Sequence, residues 1–276
     1  MGIAGLPRLE SSELSDVSQA FHYNKRPGGN MSNPVIERVV GEYAYQPGSN
    51  LTATDRPISI DSVLNKSIIV AGFLAVGAFA GWNLAPAIGF SPVLLLAIIG
   101  IGLGLINTFK RQVSPSLVVL YGLVQGAFAG MVSYGLNLQY PGVAQQAFMA
   151  ASVTFVTVLT LYALRIVRSG PKFLRFMQYA VISYAVFALI SFISALFGLN
   201  EGWGLYGGSF GLLFAGIGVV LATLSLITDF GAIEFAVHAG APEREAWRLA
   251  FGLTVTFVWL YIELLRLLSL LARSNE

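Results

Sequence analysis

From residue 67 onward, apolar residues run almost unbroken through seven stretches separated by short polar or proline-containing connections. The stretches fall at about 67–85, 92–109, 115–136, 143–167, 173–198, 207–237 and 246–271. Each is near the length of about 20 residues that a helix needs to cross a hydrocarbon layer. Their continuous apolar character, without alternation in steps of two, predicts helices and argues against a membrane barrel. Pro86, Pro92, Pro115, Pro141, Pro171 and Pro242 lie where a helix can start or has just stopped. The connections are short, so consecutive helices are expected to be antiparallel neighbours. Residues 1–65 read differently, being rich in Ser, Asn, Pro, Gly and charge. They lack the apolar core of a signal peptide and predict a polar, unstructured tail. Leu6 stands where a myristoylation signal needs Ser or Thr, so no lipid anchor is expected. Residues 58–66 can open a helix, with Asp61 as its cap or as an interfacial charge. The expected organisation is a cytoplasmic tail over 1–65 and an all-α, seven-helix transmembrane domain over 66–276.

Composition strengthens that class. Mean hydropathy is +0.71, and 11% of residues are charged, against about 25% in ordinary soluble domains. The chain has no cysteine, so disulfides, thiol catalysis and cysteine metal sites are excluded. His22 and His238 are the only imidazoles, too few for a histidine metal centre. The formal charge of +2 points to no nucleic-acid partner. No cofactor motif is present: without GxxxxGK[ST], ATP-driven pumping is not expected.

Charge then predicts orientation. Lys66, Lys110, Arg111, Arg165, Arg168, Lys172, Arg175, Arg244 and Arg248 flank alternate connections, whereas residues 86–91, 137–142 and 199–206 contain no Lys or Arg. The positive-inside rule places the N-terminus and the basic connections in the cytoplasm of a cell bearing this protein in its inner or plasma membrane. Arg266 and Arg273 do not fit if the seventh segment crosses fully; they then lie outside, or the last helix is re-entrant.

Gly122, Gly126 and Gly130 form a GxxxGxxxG row in the third span, and Gly77/Gly81 and Gly100/Gly104 repeat the spacing in the first and second. Small residues on one face let helix backbones approach, and intramolecular packing is favoured over a dedicated oligomer interface. Residues 207–211 match GxSxG, but no strand precedes Ser209 and His238 is remote, so Ser209 reads as a packing residue and no enzyme is expected. Trp82, Trp203 and Tyr206 near span ends read as interfacial anchors.

The candidate chemistry lies in two acids. Asp229 is inside the sixth span and Glu263 inside the seventh, with Glu234 closer to the predicted cytoplasmic end. A carboxylate in hydrocarbon is costly unless it is protonated, paired or wetted, which makes each a functional candidate. In an antiparallel helix pair Asp229 and Glu263 can face each other. Two close carboxylates in low dielectric cannot both stay ionised cheaply, so they can hold a proton between them or bind a cation such as calcium transiently. The plainer reading is that Arg266, at i+3 from Glu263, simply neutralises it, and that Asp229 and Glu234 sit near the interface. An intramembrane aspartyl protease would require two aspartates, which this pair is not. For a solute transporter, the available lining residues are Asn107, Gln125, Ser152, Thr154 and Thr157, each equally explained by interhelical hydrogen bonds.

The strings Leu226-Ile-Thr-Asp229-Phe-Gly-Ala-Ile-Glu234 and Ala250-Phe-Gly-Leu-Thr-Val-Thr-Phe-Val-Trp-Leu-Tyr-Ile-Glu263-Leu-Leu-Arg266-Leu-Leu resemble the Bax inhibitor-1/YccA family of membrane proteins. The likeness is narrower to its bacterial branch with a long polar N-terminal tail, and Tyr121-Gly-Leu-Val-Gln125-Gly-Ala-Phe-Ala-Gly130 adds to it. The resemblance implies a seven-helix bundle with the last helix at its centre. It also implies an acidic pair between the sixth and seventh helices that acts as a pH-sensitive latch on a passive calcium leak. Asp229 and Glu263 match those acids, Glu263 being one methylene longer than the family's Asp, and Gln125 stands where relatives often have Glu. Two functions follow as expectations: a pH-gated cation leak, or an interaction protein that regulates an FtsH-type membrane protease or stress complex through its tail.

Overall fold

The computed structural model describes residues 56–110, 113–198 and 210–274. Residues 1–55, Arg111, Trp203, Tyr206 and Ser209 lie outside them, and with them most of the expected tail and of the GxSxG match. Seven helices are long and apolar enough to cross a membrane. They are α1 (Ile60–Ile88), α2 (Ser91–Phe109), α3 (Pro115–Gln139), α4 (Val143–Ala163), α5 (Pro171–Leu196), α6 (Gly211–His238) and α7 (Ala246–Ser274), with a 3-10 turn (Glu243–Glu245) before the last. No strand occurs among the described residues. The protein is an all-α integral membrane protein.

Helix α1 starts earlier than hydropathy alone predicts, inside the region assigned to the tail. Its cap is Ser59 rather than Asp61: Ser59 Oγ accepts from the Ser62 amide at 3.1 Å and Ser62 Oγ accepts from the Ser59 amide at 3.2 Å. This reciprocal box satisfies two amides at the helix start, leaving Asp61 in the first turn, where its charge complements the helix dipole. Pro115 and Pro171 open α3 and α5 as expected. Pro86 instead lies within the last turn of α1.

Helix α7 is central. It packs against α1, α3, α4 and α6, and buries Leu249, Phe251, Leu253, Leu260 and Leu265. Ala147 and Ala151 of α4 meet Leu226 and Phe230 of α6 and Leu253 and Leu260 of α7 in one core cluster. A second joins Val70 of α1, Leu103 of α2, Val118 and Tyr121 of α3 and Phe251 of α7. Outward-facing residues such as Phe79, Leu95, Val153, Leu189 and Val220 are exposed. Lipid is their solvent, so exposing them is favourable here.

Since lipid is as apolar as leucine, close packing must hold the helices together. The glycine rows supply it. A Cβ on Gly126 or Gly130 of α3 would overlap the carbonyl oxygens of Leu74 and Ala78 of α1. Reciprocally, a Cβ on Gly77 or Gly81 would overlap the carbonyls of Leu123 and Ala127. The rows are thus used inside the bundle, backbone against backbone.

At one end of the bundle, residues 56–58 pair with the α6–α7 turn. Ile58 N donates to Ala241 O at 2.7 Å and Glu243 N donates to Arg56 O at 2.9 Å. Lys66 Nζ reaches Glu243 at 3.2 Å. The start of α1 and the basic α6–α7 turn therefore share one side, as the charge pattern requires.

Candidate functional site

The seam between α6 and α7 carries the buried acids. Trp259, Glu263 and Arg266 lie at i−4, i and i+3 on α7, a spacing that stacks three side chains on one face. Glu263 and Arg266 are each 4% exposed. Arg266 Nη2 forms a short ion pair with Glu263 Oε2 and also donates to the Tyr184 hydroxyl at 2.8 Å. The Tyr184 hydroxyl in turn donates to Glu263 Oε1 at 2.8 Å, and Trp259 Nε1 donates to the same oxygen at 3.0 Å. Both carboxylate oxygens are thereby engaged by donors.

Two further elements close this cluster. Tyr184 comes from α5, and its ring lies 5.7 Å from that of Trp259. Gly218 of α6 supplies the space: a Cβ there would collide with the Tyr184 hydroxyl and stand 2.5 Å from Glu263 Oε2. One residue of α6, one of α5 and three of α7 form a compact charged knot inside an apolar bundle. A buried pair of this kind is tolerable because Glu263 Oε1 also accepts from Tyr184 and Trp259 and the paired guanidinium nitrogen also donates to Tyr184.

Asp229 is 3% exposed, on α6 beside Thr228 and Phe230. It does not face Glu263. The Glu263 carboxylate abuts Gly218, and Asp229 follows three helical turns later, about 16 Å along the α6 axis. That distance is too long for two carboxylates to share a proton directly, so the expected acid–acid contact is absent from this conformation. The physical reason is the register of the α6–α7 hairpin. The turn between the helices spans residues 239–245, and Glu263 lies much farther from it than Asp229 does. Antiparallel packing therefore sets Glu263 opposite an earlier turn of α6.

The other expected residues are placed as follows. Arg266 is the partner of Glu263. Glu234 lies under two turns beyond Asp229 on α6 and accepts a short hydrogen bond from the Tyr162 hydroxyl of α4. Gln125 belongs to the α1–α2–α3 side, where Nε2 donates to the Tyr121 hydroxyl at 3.3 Å and the amide packs against Gly100 of α2. Asn107 donates to the carbonyls of Leu103 and Leu117 at 3.0 and 3.2 Å. Thr157 is exposed on α4. Asn107 and Gln125 are separately engaged and Thr157 faces outward, so these three do not converge on a common solute pocket.

As a calcium site, Glu263 is set among hydrogen-bond donors, whereas calcium takes six to eight oxygen ligands. Among the described residues, no group of three or more acids or histidines is assembled for a metal. Trp259 could be anticipated from its spacing to Glu263. Tyr184 carried no local signal, since a lone tyrosine in a membrane helix is ordinary, and Gly218 was one of many glycines.

A family model described as Bax inhibitor 1 like matches residues 15–273. The match starts within the polar N-terminal region and runs through all seven helices. No curated protein matches the chain.

Proposed function

The chain belongs to the Bax inhibitor 1 like family, and from that premise we propose that it is a passive, pH-sensitive cation leak of the cell membrane, with calcium as the ion and the N-terminus cytoplasmic. The observation that carries this reading is the Glu263/Arg266 pair buried at the junction of α5, α6 and α7. Protonation of Glu263 would remove the carboxylate charge and leave Arg266 in low dielectric without its counter-charge. Breaking a buried pair this way costs about 3–5 kcal/mol, which favours a conformation in which water reaches the guanidinium. The lock is therefore closed when Glu263 is ionised and is released by acid.

Asp229 is the second acidic station. Gly218, Ala222, Ser225 and Asp229 recur at three- and four-residue spacing and are all buried, giving one face of α6 a run of small or polar positions between the acids. The two carboxylates thus act in series along this face, not as one shared-proton dyad. Calcium is cargo in this reading and meets Glu263 only after the lock has opened.

The test is calcium flux into liposomes containing the purified protein, over an acidic to neutral range. Wild type should leak more as pH falls, Glu263→Gln should lose most of that dependence, and Asp229→Asn should lower flux. An unchanged pH profile in Glu263→Gln would remove the lock, and silence of every preparation would remove the leak.

A second reading is favoured by the pairing of residues 56–58 with the α6–α7 turn. A membrane protease of the FtsH type that held residues 1–55 would pull directly on the turn between the two acid-bearing helices. Deleting residues 1–55 should then abolish partner regulation and spare flux. Full retention of partner contacts by the truncated chain would defeat this reading.

A further inference from the structure

Between Asp61 and Glu201 the chain contains no Asp or Glu. Four cations nevertheless gather in a short part of that stretch: Arg165, Arg168, Lys172 and Arg175, all exposed. Among the described residues, none of them is in an ion pair. Elsewhere three basic residues are matched locally, Lys66 by Glu243, Arg248 by Glu245 at 3.0 Å and Arg266 by Glu263. Glu234 of α6 accepts from the Tyr162 hydroxyl and keeps its charge, beside a tyrosine that Arg168 and Arg165 also act on, so this corner sets four cations against one carboxylate. The α4–α5 connection is thus a concentration of positive charge that forms no ion pair among the described residues.

The connection is also held in a fixed shape. Arg165 adopts a positive φ of 59°, which bends the chain sharply after α4 and is uncommon for a residue with a side chain. The amide of Arg165 donates to Tyr162 O at 2.9 Å and that of Ile166 to Leu161 O at 3.0 Å. Ser169 then seats against Gly231 of α6, where a Cβ would overlap its hydroxyl. Beyond the turn, Lys172, Arg175, Phe176 and Tyr179 share the outer side of the first turns of α5 by their spacing. Phe176 and Tyr179 are 59% and 70% exposed. Cations at the helix end followed by exposed aromatics one turn deeper match the order of phosphate and hydrocarbon across a membrane interface.

We propose that this surface binds anionic phospholipid headgroups, with Arg168, Lys172 and Arg175 around the phosphate, Arg165 adding charge, and Phe176 and Tyr179 along the acyl chains. The exposed aromatics favour a lipid over an acidic peptide, because a peptide needs the charge and not the apolar strip beneath it. Clustered basic residues beside a transmembrane helix attract anionic lipid through the surface field and direct contacts together.

The test uses the full-length protein in nanodiscs of mixed phosphatidylglycerol and phosphatidylcholine, with the lipid retained by the protein measured by native mass spectrometry. Wild type should retain phosphatidylglycerol preferentially. The double variant Arg168→Gln/Lys172→Gln should lose that preference by about fivefold or more, on the scale of removing two juxtamembrane charges. The matched control Lys110→Gln/Arg111→Gln removes two basic residues from another connection and should change it less than about twofold. Equal loss in both variants, or none in the first, overturns the proposal. So does an acidic peptide that binds wild type in pure phosphatidylcholine discs and displaces phosphatidylglycerol from the mixed ones. If the first variant does not fold, wild type alone decides: raising salt to about 1 M should collapse the preference, and its persistence overturns the proposal.

Discussion

Gly218 of α6 and Glu263 of α7 are in direct contact, the carboxylate occupying the space into which any side chain at position 218 would project. That contact fixes which turn of α6 faces the acid. It also explains why three donors can converge on Glu263 in a closely packed bundle: the missing Cβ makes the room. The buried knot depends on a side chain and on an absence opposite it.

Substituting Gly218 should therefore disturb the lock without touching its charges. In Gly218→Val the branched side chain displaces the Tyr184 hydroxyl and the Glu263 carboxylate together. Flux at neutral pH should rise several-fold over wild type, while Gly216→Val, where a Cβ meets nothing within 4 Å, should leave flux unchanged. Liposome calcium flux on the two variants checks this; equal behaviour would mean that the contact does not hold the closed state.

The buried pair predicts a non-additive stability pattern. Arg266→Gln alone leaves Glu263 without its cation, and Glu263→Gln alone leaves Arg266 without its anion, each costing about 3–5 kcal/mol. The double variant replaces both charges with neutral amides and should cost less than the sum of the singles by more than about 1 kcal/mol. Thermal unfolding in detergent across the four proteins measures the difference. Additive losses would show that the two side chains do not act as a unit.

The closeness of α1 and α3 gives an independent prediction. At Gly126 and Gly130 even one methyl group meets main-chain carbonyl oxygens, which cannot rotate away as a side chain can. Gly126→Ala should destabilise by about 3 kcal/mol or separate the helices. Gly72→Ala and Gly102→Ala, where a Cβ meets nothing within 4 Å, should be neutral or slightly stabilising. Thermal midpoints of the three variants separate these cases.

The helices were legible because membrane hydrocarbon demands about 20 apolar residues per crossing, a requirement each span meets within its own sequence. Glycine spacing likewise announced close packing, since a row at four-residue steps must lie on one helix face. The pairing of Glu263 with Arg266 was legible as an i,i+3 spacing. Its connection to Tyr184 and Gly218 was not, because those contacts depend on how α5 and α6 slide past α7. The same register separates Asp229 from Glu263, and no local pattern in either helix encodes it. At the start of α1, Ser59 and Ser62 outcompeted Asp61 because their spacing permits both arms of a capping box.

Separation of the acids yields the sharpest functional prediction. If Asp229 and Glu263 shared one proton, replacing either would abolish the same titration, and the double variant would behave like either single one. Sites about 16 Å apart along α6, with no contact between them, should contribute independently. Glu263→Gln should flatten the rise of flux on acidification, because its charge holds Arg266. Asp229→Asn should lower flux at every pH while preserving the shape of the profile. The double variant should then combine a flat profile with a reduced flux, the effects multiplying within about twofold. Calcium flux measured for all four proteins across the acidic to neutral range decides between the two schemes. A double variant indistinguishable from Glu263→Gln alone would mean that the acids meet during gating, and the closed arrangement would then be only one stage of a latch that brings them together.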